Sequence, residues 1–114
     1  MHIALTDREK AFFIAYLEAI RFTETGDSEQ PEYGAVFDQD FFRESMIDCL
    51  AFYSRNECYL SDDNREQAGH DFWLTRNGHG TGFWDKPEIY GEHNAKRFTK
   101  IAESFGEAHA LFEG

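Results

Sequence analysis

At 114 residues the chain has the length of one domain, and its 12 Phe, 5 Tyr and 2 Trp exclude an aromatic-poor disordered acidic chain. The formal charge of −11 excludes a surface built for direct nucleic-acid contact, which depends on Lys and Arg displacing phosphate counterions. The acids are unevenly spread: residues 1–69 carry 15 acidic and 6 basic side chains, a net of −9, whereas residues 70–114 carry 7 and 5.

In chain order, Thr6-x-x-Glu9 is a capping-box pattern that predicts a helix start, with Asp7 favourable at the positive end of the dipole. Phe13, Tyr16, Leu17 and Ile20 follow at i, i+3, i+4, i+7, and the pattern fades near Thr23–Gly26. Residues 26–37 read as a loop punctuated by Gly26, Pro31 and Gly34. A second helix begins at Asp38 or Asp40, either of which can cap it, and runs to about Tyr59. Its expected buried face is Phe42, Met46, Cys49, Leu50 and Tyr53, and Ser61-Asp62-Asp63-Asn64 ends it. A short helical turn then stops at Gly69.

From His70 the pattern changes. Residues 70–76 are aromatic and partly alternating, Asn77-Gly78 is a hairpin signal, and Gly82–Asp85 would return as the second strand before Pro87. A third helix is expected from Glu92 to Phe105, burying Phe98, Ile101, Ala102 and Phe105 and stopped by Gly106. His109–Phe112 is an optional short strand beside the hairpin. The expected class is therefore α+β in a single domain, residues 1–114: two N-terminal helices, a β-hairpin over about 70–85, and a third helix.

Cys49 and Cys58, nine residues apart on one helix, would lie about 13 Å apart, too far for a disulfide. Both read as small core residues. Free thiols, with neither a signal peptide nor a long apolar run, predict a reducing cytoplasm and no membrane contact.

The stretch from Ala68 to Asp85, A-G-H-D-F-W-L-T-R-N-G-H-G-T-G-F-W-D, holds both tryptophans, two histidines and four glycines. Over G-H-D-F-W-L-T-R-N-G-H-G and G-F-W-D it resembles small, functionally uncharacterised proteins of bacteriophages and related mobile elements. The resemblance implies a setting, the cytoplasm of an infected bacterial host, and assigns no catalytic or binding role.

The residues of this block support three readings. Gly78, Gly80 and Gly82 suggest a phosphate loop, but Phe83 stands where the third glycine of a dinucleotide fingerprint belongs and no helix is expected to follow. His70, Asp71, His79, Asp85 and His93 are suitable metal or acid–base groups. In a hairpin, however, His79 at the tip is about 20 Å from His70 and Asp85. The structural reading pairs Trp73 with Trp84 across the hairpin, turns Phe72 and Leu74 to the helices and sets Arg76 opposite Asp85. A variant leaves one tryptophan exposed as a partner anchor. No catalytic residue, metal or cofactor is assigned.

The acids point to a partner. Glu24, Asp27, Glu29, Glu32, Asp38 and Asp40 lie in a run without Lys or Arg, and Glu44, Asp48, Asp62, Asp63 and Glu66 are further acids that could join them on one surface. Such a surface attracts a basic protein. The preferred expectation is an inhibitor or modulator of a basic host protein, a nucleic-acid-handling or defence machine, acting as an acidic DNA mimic. The alternatives are a small-ligand or metal-binding protein or enzyme centred on His70–Asp85, and a structural homo-oligomer. The oligomeric state is left open.

Overall fold

The structure, a computed structural model, describes residues 4–25 and 36–113. Its helices are α1 (Asp7–Thr25), α2 (Gln39–Asn56), α3 (Arg65–Arg76), α4 (Pro87–Tyr90) and α5 (Glu92–Ser104), with 3-10 turns at Glu57–Tyr59 and Phe83–Asp85. No strand or sheet forms among the described residues, so the α+β expectation is wrong: the fold is helical. A lone antiparallel bridge joins Phe37 to Phe112. The C-terminal segment expected beside a hairpin instead lies against the start of α2, where the Asp38 amide donates to the Leu111 carbonyl at 2.9 Å.

The N-terminal helices start as their caps predict. The Thr6 amide donates to Glu9 Oε1 (2.8 Å) and the Glu9 amide to Thr6 Oγ1 (3.1 Å), closing the capping box. Asp38, not Asp40, caps α2 by accepting from the Phe41 amide at 3.0 Å. The inward face of α2 is rotated from the expected one. Phe41, Ser45, Cys49, Phe52, Tyr53 and Asn56 are buried, whereas Phe42 is exposed and meets Phe13 edge-on. Cys58 falls in the 3-10 turn and is exposed, so only Cys49 is the core residue expected, and both thiols are free.

The largest departure is α3, where a hairpin strand was expected. Asp71, Phe72, Trp73, Thr75 and Arg76 are all buried, because α1, α5 and the second 3-10 turn pack around this one helix. A helix covered on most sides has no polar stripe, so its 3.6-residue period is masked and adjacent aromatics mimic a strand. Gly69 is an interior position rather than a stop. A Cβ there would collide with the Phe12 carbonyl oxygen and stand 2.8 Å from Ala15 Cβ, so glycine is what lets α1 and α3 approach.

The Asn77-Gly78 signal ends a helix instead of turning a hairpin. Gly78 is left-handed (φ 64°), its amide donates to Thr75 O (3.2 Å), and the His79 amide donates to Leu74 O (3.1 Å). These two bonds form a Schellman cap. Both a type I′ hairpin turn and this cap require positive φ, so the same dipeptide serves either.

The core is a run of rings: Phe12 on Phe52 (5.7 Å between centroids), Phe52 on Phe72 (4.4 Å) and Phe52 on Phe83 (5.5 Å), with Phe83 against Phe98 (5.2 Å). α5 lies where predicted, with Phe98 and Ala102 buried and Ile101 and Phe105 partly buried. Gly106 follows it at φ 75°.

Candidate functional site

The segment from α3 through α4 is built on a buried carboxylate. Asp71 is fully buried on α3. Its Oδ1 accepts from Lys86 Nζ at 2.9 Å, and its Oδ2 accepts from the Tyr90 hydroxyl at 2.7 Å and Gln67 Nε2 at 3.2 Å. Lys86 Nζ also donates to Thr81 Oγ1 (3.1 Å) and the Gly82 carbonyl (3.0 Å). Burial and the neighbouring Asp71 carboxylate push the Tyr90 hydroxyl far above its ordinary range, so it remains a donor.

The loop between the helices is fastened at further points. Thr75 Oγ1 accepts from the Phe83 amide (3.0 Å), and Asp85 Oδ1 from the Gly82 amide (3.1 Å). Burial works to raise the Asp85 carboxyl, but the Gly82 amide, the Thr81 hydroxyl and Lys86 outweigh it and hold it below its usual value. Residues 81–90 are thus tied to α3 by a network in which every polar partner is spoken for. Such a network specifies one loop conformation.

A buried cation, Arg76, fastens the C-terminal end of α3. Arg76 Nη1 donates to Asp48 Oδ2 (2.9 Å) and the Tyr16 hydroxyl (3.1 Å), its Nε to the Gly106 carbonyl (2.8 Å), and its Nη2 to the Phe105 carbonyl (3.2 Å). Burial opposes the Arg76 charge, yet Tyr16 and Asp48 more than compensate and raise its affinity for the proton. One guanidinium therefore joins α1, α2, α3 and the chain after α5.

Several of the expected pairings do not form. Arg76 reaches Asp48, whereas Asp85 pairs with Lys86 at 3.3 Å. Trp73 is buried against Tyr16 and donates from Nε1 to Thr23 Oγ1 at 2.9 Å, while Trp84 is 53% exposed. A cross-strand tryptophan pair is replaced by one core tryptophan and one surface tryptophan. His70 Nε2 lies 3.9 Å from Glu18 Oε1 across α1 and α3, and His79 is exposed near Trp73. Among the described residues no three His, Cys, Asp or Glu side chains form a group suited to a metal ion.

The acidic residues divide in the same way. Asp27, Glu29 and Glu32 lie outside the described residues. Asp48 is turned to Arg76, Asp40 pairs with Arg43 (3.4 Å), and Asp62 pairs with Arg65 (2.6 Å). The Arg65 hydrogen bond holds the Asp62 carboxyl below its usual range. Glu24, Glu44, Asp63 and Glu66 are exposed and form no ion pair among the described residues. Asp40, Glu44 and Asp48 do lie at i, i+4, i+8 on α2, about 6 Å apart along the axis. Their carboxylates are nevertheless not one free row.

An open cleft of about 630 Å³ is lined by Arg21, Phe37, Phe42, Arg43 and Met46. The Arg21 guanidinium sits 4.6 Å over the Phe37 ring and Arg43 is engaged by Asp40, so both cations of this cleft are occupied.

Lys86, Tyr90, Thr75 and Tyr16 were missed from sequence. Their partners are 15, 19, 8 and 60 residues away, and no spacing rule connects them. The only available signal was the presence of a lone Lys within an acidic, aromatic stretch. No family model matches the chain, and neither the curated proteins nor the solved structures contain a match to it.

Proposed function

We propose that this protein binds a basic protein partner and modulates it through its acidic exterior. The observation that carries this reading is where the fold sends its cations. Arg65, Arg76 and Lys86 turn inward and are each matched by one carboxylate, Asp62, Asp48 and Asp71, so none of the three offsets the remaining acids and the net charge of −11 is left to the rest of the surface. A field of one sign attracts the opposite sign and speeds encounter.

The reading includes a target class: a basic nucleic-acid-handling or defence protein in the cytoplasm of a bacterial host, the setting implied by the phage-like block. No helix is long and apolar enough to cross a membrane among the described residues. A continuous phosphate-like row is not part of the proposal, because Asp40 and Asp48 already serve Arg43 and Arg76. The outward acids Glu24, Glu44, Asp63 and Glu66 carry it instead. Asp71 and Asp85, two of the groups suited by type to metal or acid–base chemistry, are bonded to Lys86, Tyr90, Thr81 and the Gly82 amide, which favours a structural role for them.

The test is capture of partners from a bacterial lysate by the wild type and by a variant with Glu24, Glu44, Asp63 and Glu66 changed to Lys, at low and high salt. The expected result is a basic protein held by the wild type at low salt, released at high salt and lost to the variant. Capture that ignores both salt and charge reversal would end this reading.

A further inference from the structure

We infer that the surface around Trp84 docks an arginine-bearing segment of the partner, with a guanidinium stacked on the indole; this rests on the basic-partner reading and names where it is met. Of the two tryptophans Trp73 is 1% exposed and Trp84 is 53% exposed. An exposed indole on a loose tip would mean little. This one sits in the 3-10 turn Phe83–Asp85, between Phe83, which is fully buried in the core, and Lys86, whose ammonium is bonded to Asp71. A rigid support of this kind lowers the ordering cost of binding.

The charge around it selects the occupant. Lys86 is the only Lys or Arg between Arg76 and Lys96. Its ammonium is drawn inward, its side chain being 19% exposed. What the segment leaves outward and unpaired is Trp84, Glu88, Ile89 and Glu92, an aromatic and an aliphatic side chain with two carboxylates and no outward Lys or Arg, while Asp85 is bonded to Lys86, Thr81 and the Gly82 amide. An anionic ligand is repelled there. A purely apolar partner would have to desolvate the carboxylates without return.

Arginine suits both features. Its guanidinium is planar and weakly hydrated, stacks on aromatic faces and bonds carboxylates in a fork, whereas the lysine ammonium is a strongly hydrated point charge. The protein uses the same contact within itself: Arg97 lies 4.7 Å over Tyr59 and Arg21 lies 4.6 Å over Phe37.

The experiment titrates the full chain and its variants with an arginine nonapeptide and a lysine nonapeptide at low salt, with affinities read by calorimetry and tryptophan emission followed in the wild type. Because Trp73 is buried, an emission change reports Trp84. The arginine peptide is expected to change the emission and to bind about tenfold more tightly than the lysine peptide. Trp84→Ala should lose about that factor with an unchanged melting temperature, and Glu88→Lys should weaken binding as well. Equal affinity for the two peptides, or full-strength arginine binding by Trp84→Ala, overturns the inference. If Trp84→Ala keeps the lysate partner while reversal of Glu24, Glu44, Asp63 and Glu66 loses it, the Trp84 surface falls and the acidic reading survives. Loss by neither variant removes both.

Discussion

Lys86→Met would strand the fully buried Asp71 carboxylate, which then keeps only Tyr90 and Gln67 as donors. Removing one partner of a buried ion pair costs about 3–5 kcal/mol, because the remaining charge stays desolvated. In a chain of 114 residues this corresponds to a fall in melting temperature of roughly 12–20 °C. Asp71→Asn should be milder, about 2 kcal/mol. Its amide oxygen can still accept, and the Lys86 ammonium, 19% exposed, keeps Thr81, the Gly82 carbonyl and Asp85. Combining the changes leaves no stranded charge, so Lys86→Met in the Asp71→Asn background should cost only about 1–2 kcal/mol. The coupling energy is then about 2 kcal/mol, measured by urea denaturation of the four proteins at neutral pH. Additivity within about 0.5 kcal/mol would show that the two groups do not act as a pair and would refute the loop-support argument.

Three other expectations follow from the packing. Burial raises the proton affinities of Tyr16, Tyr90 and Cys49, so the folded state keeps protons that the unfolded chain releases near its ordinary values of 10.0 for Tyr and 9.0 for Cys. The stability from these groups is therefore complete below about pH 9 and declines as pH rises, by up to about 1.4 kcal/mol per pH unit per group. Urea midpoints between about pH 8 and 11 measure this, Tyr90→Phe should flatten the slope, and a level profile would contradict it. Gly69→Ala gains about 1 kcal/mol of helix propensity, but its Cβ would meet the Phe12 carbonyl and Ala15, at a cost of about 2–3 kcal/mol. A net loss of about 1–2 kcal/mol by thermal melting is expected, and stabilisation would show that α1 and α3 are not in close contact. Iodoacetamide should label Cys58 in the folded protein and Cys49 only in urea, read by intact mass. Native labelling of both would contradict the burial of Cys49.

How much was legible from sequence varied with the reach of the interaction. Thr6 with Glu9, and Asp38 with Phe41, are contacts three residues apart, so the starts of α1 and α2 were readable from local chemistry. The amphipathic stripe of α5 was readable for the same reason, with one face on the core and one in solvent. In α3 the local cues misled: three consecutive buried residues, Asp71, Phe72 and Trp73, have no helical period, and Asn77-Gly78 serves a helix cap as readily as a hairpin. The acidic surface was legible as composition but not as arrangement, since which carboxylates are free depends on where Arg43, Arg65 and Arg76 fall.

By itself the sequence determined the capping box of α1, an aspartate cap for α2, the aromatic-rich core and the excess of negative charge, all of which depend on residue type or on neighbours within one turn. Only the tertiary structure decided that α3 is central, that Asp71 and Lys86 meet, and that Trp73 is buried while Trp84 faces outward. The physical reason is that a buried charge or ring acquires its partner from a distant part of the chain. Tyr16 and Arg76, 60 residues apart, are brought to 3.1 Å by helix packing that no local period encodes.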